Sequence, residues 1–111
     1  MSFHITAQEA RIEQRDGHTY LLARLQREDQ SWNDAIFNLD TVLGNEDGHF
    51  HWGGENFTHS AQDIRFDPKE GAAEQPILRA MLRDMNQEYH PRDVNLTEII
   101  ENVNGEFMRK V

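Results

Sequence analysis

Between residues 21 and 26 the apolar Leu21, Ala23 and Leu25 alternate with Leu22, Arg24 and Gln26. That is the period-2 pattern of a strand with one face on a core. The same face returns 57 residues later as Leu78, Ala80 and Leu82. Trp32 to Leu39 and Tyr89 to Leu96 read as the strands that follow. Asp47-Gly48 and Asn104-Gly105 are hairpin signals, because a two-residue type I′ turn needs positive φ at both positions. Thr6-x-x-Glu9 and Ser60-x-x-Asp63 read as caps on a single helical turn. Leu39 to Leu43 and Leu96 to Ile100 suit a further short turn before each hairpin. No stretch carries helical periodicity over several turns, so the chain is expected to be all-β.

The pattern is a tandem repeat. From Leu21 to Trp52 the shift is 57, and it superposes Asn38-Leu39 on Asn95-Leu96. It also superposes Asn45-x-Asp47-Gly48-x-Phe50 on Asn102-x-Asn104-Gly105-x-Phe107. Upstream the shift is 54, where Phe3-x-x-Thr6-Ala7-Gln8-Glu9-x-Arg11 matches Phe57-x-x-Ser60-Ala61-Gln62-Asp63-x-Arg65. The second copy therefore holds three extra residues, placed around Pro68 to Pro76, with Gly71-Ala72-Ala73 as a flexible loop. Two copies are too few for a solenoid and predict one pseudo-twofold globule. Residues 1–111 are read as a single domain, with repeat 1 at about 1–53, repeat 2 at about 54–111, and Gly53-Gly54 as the joint.

Composition changes the picture little. At 111 residues the chain suits one core. No apolar run approaches the length of a membrane span. The absence of cysteine excludes disulfides and thiolate metal sites. A net charge of −9 without a basic stripe argues against nucleic acid as a partner. Met1 to Thr6 has neither a basic n-region nor an apolar h-region, so a cytoplasmic or unconventionally secreted protein is expected.

Phe-x-x-[Thr/Ser]-Ala-Gln followed by Asn-Leu-x-x-x-[Leu/Ile]-x-Asn-x-[Asp/Asn]-Gly-x-Phe, twice at this spacing, resembles the cyanovirin-N homolog family, its small fungal members above all. The resemblance covers Phe3 to Met108. It implies two pseudo-symmetric halves, each a three-stranded sheet covered by the β-hairpin of the other repeat. Half A would comprise 1–41 with 99–111, and half B 42–98. It implies a non-enzymatic lectin for terminal α(1→2)-linked mannose on high-mannose oligosaccharides or glycoproteins, with up to two sites at opposite ends. Where cysteine-containing members place disulfides, this chain has Ala7 with Leu25 and Ala61 with Leu82. It thereby forgoes a cross-link typically worth about 2–4 kcal/mol.

Mapped residue by residue, the family's site in the middle of the chain falls on Asn45, Asp47, Glu55, Asn56, His59, Ser60, Arg83, Asp84, Met85 and Gln87. This is the principal expected site. Nine of the ten are polar, as hydroxyl recognition requires. Met85 stands where some members place an arginine. The related terminal site falls on Met1, Ser2, Ile5, Thr6, Gln26, Arg27, Glu28, Asn102 and Asn104. It is expected to be weaker, because Ile5 replaces a glutamine and Met108 and Lys110 replace polar or acidic contacts.

Other constellations rank below this one. His49 and His51 at i, i+2, with His59 nearby, could suggest zinc, but tetrahedral geometry needs a third and a fourth ligand that the sequence does not place, so no metal or other cofactor is expected. Asp47 and Glu55 form a conceivable glycosidase pair, but no apolar cleft that would raise a carboxyl pKa is evident. Asn56-Phe57-Thr58 and Asn95-Leu96-Thr97 fit the N-glycosylation sequon and read as incidental. Trp32 and Trp52 are expected to pack in the core and hinge. A monomer is expected, since Gly53-Gly54 lets the chain fold back, with a domain-swapped dimer as the alternative. The competing function is a protein-interaction module that kept the fold and lost sugar binding.

Overall fold

The two alternating stretches become the central strands of two sheets. The computed structural model describes residues 3–110. Strands β1 (Ala7–Arg15), β2 (His18–Gln26) and β3 (Trp32–Asn38) form one antiparallel sheet, and β4 (Leu43–Glu46) and β5 (His49–Trp52) a hairpin. The second copy repeats this with β6 (Ala61–Glu70), β7 (Gln75–Arg83) and β8 (Tyr89–Asn95), then β9 (Ile100–Val103) and β10 (Glu106–Arg109). The three extra residues are accounted for. Strand β6 has ten residues against nine in β1, and the turn after it runs over 71–74 instead of 16–17.

The turns that open each copy differ from expectation. Thr6 and Ser60 do not cap helical turns; they end 3-10 turns spanning Phe3–Thr6 and Phe57–Ser60. Glu9 and Asp63 lie inside β1 and β6 at positive φ, 55° and 52°, where the pairing with β2 and β7 slips. The reason is burial. Phe3 and Phe57 are fully buried and draw the turn upstream of the polar residue. No apolar helical face follows Thr6 or Ser60 for a cap to serve. The second pair of short turns, Leu39–Thr41 and Leu96–Glu98, is present and capped. The Asn38 and Asn95 side chains accept the Asp40 and Thr97 N–H groups at 3.0 and 2.9 Å.

Both copies feed one core. Leu21, Ala23 and Leu25 of β2 and Leu78, Ala80 and Leu82 of β7 are buried with Phe3, Leu39, Leu43, Phe57, Leu96, Ile100 and Phe107. Aromatic contacts show which hairpin covers which sheet. Phe50 of β5 meets Phe57 edge-on at 5.6 Å, and Phe107 of β10 meets Phe3 at 5.4 Å. Each repeat thus lends its hairpin to the other. Ala7 faces Leu25 and Ala61 faces Leu82 directly across their strand pairs, so small–large apolar pairs fill the positions of the missing disulfides. Trp52 packs against the core, but Trp32 does not. It lies half-exposed on the outer face of its sheet with the Arg24 guanidinium 5.9 Å above its ring.

One buried carboxylate ties the copies together. Asp40 is 2% exposed. It accepts the Thr19 N–H at 2.8 Å, the Thr58 N–H at 3.0 Å and the Thr58 hydroxyl at 2.7 Å. Its backbone carbonyl also takes the Asn56 N–H at 2.9 Å. In the second copy Thr97 replaces Asp40 and Pro76 replaces Thr19. The exchange is chemically paired, since proline has no N–H that would call for a carboxylate.

Replacing Asp40 by alanine strands two N–H groups and should cost about 2–5 kcal/mol. Thr97→Ala should cost about 1 kcal/mol. Urea denaturation with unchanged m-values measures both; equal losses would contradict the seam role of Asp40. The register also predicts that Ala7→Cys with Leu25→Cys oxidises readily, the oxidised form being about 2–4 kcal/mol more stable than the same variant reduced.

Candidate functional site

At each end of the molecule one asparagine holds a hairpin to the opposite repeat. Asn45 of β4 donates from Nδ2 to the Ser60 hydroxyl at 2.7 Å and to the Arg83 carbonyl at 2.8 Å. Its Oδ1 accepts the Gly48 N–H at 2.8 Å, closing its own turn. Asn102 of β9 does the same with the Thr6 hydroxyl (2.7 Å), the Gln26 carbonyl (2.9 Å) and the Gly105 N–H (2.8 Å). Next along each turn, Asp47 accepts the Met85 N–H at 2.9 Å and Asn104 accepts the Glu28 N–H at 3.0 Å. Asp47 and Gly48 have φ of 48° and 85°, the left-handed pair that a type I′ turn requires.

These bonds divide the principal residues into two groups. Both Asn45 amide protons, one acceptor lone pair of the Ser60 hydroxyl and one Asp47 oxygen are spent on docking. Asn45 therefore positions the site. Exposed around the clamp are Glu55, Asn56, Arg83, Met85 and Gln87, together with the remaining carboxylate oxygen of Asp47. Asn56 and Gln87 have φ of 61° and 65°, a region asparagine tolerates better than most side chains. Glu55 and Asn56 are drawn against β4 because residue 44 is glycine. A Cβ there would lie 2.9 Å from the Glu55 nitrogen, and Gly44 pairs with Asn56 in an isolated bridge. The second copy has Glu101 at this position.

His59 is set apart from this group. Its ring lies 6.1 Å from that of His18, toward the Asp40 seam. His51 pairs with Glu46 at 3.3 Å. Met85 is 85% exposed, an apolar side chain on the rim. Sequence reasoning missed two residues beneath the turn. Arg92 donates from Nε to the Gly48 carbonyl at 2.7 Å, and His90 meets Asp84 at 2.7 Å. Comparing the copies position by position would have found them, since their counterparts are Ala35 and Asn33. The His90 hydrogen bond, with the N–H groups of Glu88 and Asn86, holds the Asp84 carboxyl below the ordinary aspartate range.

At the terminal end a groove of about 360 Å³ opens between Thr6, Gln26, Arg27, Glu28, Asn102 and Asn104. Met1 and Ser2 lie outside the described residues. Ile5 is 68% exposed, an apolar side chain at this end as Met85 is at the other. Arg27 is tied to Ser31 and to Asn33, at 3.3 and 2.8 Å, and does not reach freely over the groove.

Comparison with known proteins places this architecture in a family. A family model described as the CVNH domain matches residues 3–108. A cyanovirin-N homolog from Neurospora crassa is 71% identical over 110 residues, covering 99% of each chain. A solved structure of an N. crassa CVNH superposes with a TM-score of 0.88, at 70% identity and full coverage of both chains. A designed cyanovirin-N homolog lectin is 52% identical with a TM-score of 0.89, covering 99% of this chain and 100% of its own. The structure of a microvirin:mannobiose complex shares the fold at 23% identity, TM-score 0.79, over 96% of each chain. The chain belongs to the cyanovirin-N homolog family.

Proposed function

We propose that this chain is a non-enzymatic lectin that binds terminal α(1→2)-linked mannose of high-mannose oligosaccharides. The principal site is the middle end: Asp47, Glu55, Asn56, Arg83 and Gln87, held by Asn45 and Ser60. The observation that carries the reading is the set of unspent polar groups around a rigid, internally satisfied clamp. Vicinal hydroxyls are donors and acceptors at once, and this rim offers carboxylate acceptors, a guanidinium fork and amides. Mannobiose in the name of the microvirin complex supports the sugar class on the same fold. Asp47 and Glu55 are both exposed, which suits hydrogen bonding to a sugar rather than proton transfer.

The groove at the terminal end supports a second, weaker site formed by Thr6, Gln26, Glu28, Asn102 and Asn104. The chain acts as a monomer, because each hairpin closes on the other repeat of the same molecule. One strong site gives little cross-linking of glycoproteins, since avidity needs two simultaneous engagements.

Titration with α(1→2)-mannobiose, followed by assigned amide resonances, tests the reading. Shifts should centre on residues 45–60 and 83–87, with smaller ones at Gln26 to Glu28 and Asn102 to Asn104. Asn56→Gly, which keeps the left-handed backbone, combined with Arg83→Ala should weaken binding roughly ten- to a thousand-fold. Gln26→Ala with Glu28→Ala should change it little. No shift at millimolar mannobiose would leave the fold as an interaction module. A stronger response to a chito-oligosaccharide would overturn the mannose specificity.

A further inference from the structure

The loops that follow β2 and β7 share a backbone and differ in charge. Arg27 donates its N–H to the Ser31 carbonyl at 2.7 Å, as Asp84 does to Glu88 at 2.8 Å. The Gln30 and Gln87 N–H groups return to the Arg27 and Asp84 carbonyls at 2.9 and 3.0 Å, and both glutamines have positive φ, 70° and 65°. A turn glycine closes over each loop. Gly105 abuts Arg27 and Asn33; Gly48 abuts Asp84 and His90. The side chains at 27, 31 and 33 therefore hold the same places as those at 84, 88 and 90.

In the first copy these places contain a cation. The Arg27 guanidinium donates to the Ser31 hydroxyl at 3.3 Å and to Asn33 Oδ1 at 2.8 Å. In the second copy the cation is gone and all three positions carry metal-ligating groups. Asp84, Glu88 and His90 each offer a ligand atom, and these lie within 4.8 Å of one another. The Asn86 and Glu88 N–H groups, at 2.8 and 3.0 Å, fix Asp84 Oδ1 and leave Oδ2 toward His90 Nε2, 2.7 Å away. Glu88 is exposed and free to swing.

We propose that Asp84, Glu88 and His90 bind one divalent transition-metal ion, zinc foremost, where the Arg27 guanidinium sits in the other copy. An imidazole with two carboxylates suits zinc, and three protein ligands leave a fourth position for water. With Zn–N and Zn–O bonds of about 2.0–2.2 Å, tetrahedral ligands stand roughly 3.3 Å apart. The Asp84–His90 pair opens slightly and Glu88 closes by side-chain rotation. The proton on His90 Nε2 passes to Nδ1, or to solvent when the ring starts doubly protonated. The strongly acidic chain favours cation uptake. Of its three residues only Asp84 is among the ten that the family resemblance maps to the sugar site, none is in the proposed sugar-binding rim, and the metal site does not depend on that reading.

The test is zinc chloride added to the untagged protein without sugar, followed by calorimetry, amide shifts and histidine ring resonances. One equivalent should perturb amides 84–90 and the His90 ring. Glu88→Gln and His90→Gln should each weaken zinc binding by about tenfold or more, a loss seen even for supporting partners of metal ligands. Neither change touches the core, and a dispersed amide spectrum confirms that each variant is folded. His51→Gln and His59→Gln should bind as the parent does, and magnesium chloride should give no His90 response. Zinc shifts that survive His90→Gln, or none at millimolar zinc, would overturn the proposal.

Discussion

At each end of this molecule one asparagine side chain makes three hydrogen bonds that set a hairpin on the opposite repeat. A two-stranded hairpin has marginal stability alone. Here each hairpin gains a sheet to lie on, and Asn45 or Asn102 joins the two. The residue type follows from hydrogen-bond capacity. The position needs two donors for a hydroxyl and a carbonyl across the seam, and one acceptor for the turn glycine. Asparagine supplies all three, whereas aspartate lacks the donors and serine has only one. The Phe50–Phe57 and Phe3–Phe107 contacts add apolar burial beneath each clamp.

On that common frame the copies diverge only where divergence is tolerated. Asp40 with Thr19 becomes Thr97 with Pro76, a paired loss of acceptor and donor. Gly44, which admits the close approach of Glu55, becomes Glu101. Arg27 becomes Asp84, which replaces a guanidinium hydrogen-bonded to Asn33 by a carboxylate beside Glu88 and His90. The fold is carried by the shared bonds and the chemistry by the unshared side chains, as expected when sites are grafted on a scaffold.

Strands β2, β3, β7 and β8, both type I′ turns and the doubled core were legible in the sequence, because period-2 burial and Asp-Gly or Asn-Gly turns are local signals; β1 and β6 were not, since the residues opening each copy read as a capped turn. The opening turns were misread. Thr6-x-x-Glu9 has the letters of a capping box, but the buried Phe3 decides where the turn lies, and Glu9 belongs to a bulge. Trp32 was misplaced because its size suggests the core, while strand alternation puts it outside under Arg24. Among the candidate site residues, polarity was readable and commitment was not. Only coordinates show that Asn45 spends its amide on Ser60 and Arg83, or that the His59 ring turns toward His18.

Native-state amide hydrogen exchange of Asn45→Ala tests the clamp most directly. Loss of its three hydrogen bonds should raise exchange at least about tenfold across β4, β5 and the loop from Asp84 to Glu88. The β9–β10 hairpin, held by Asn102, should keep most of its protection. Asn102→Ala should show the reverse. Equal loss in both hairpins from either change, or no loss in either, would contradict a fold held by two independent clamps.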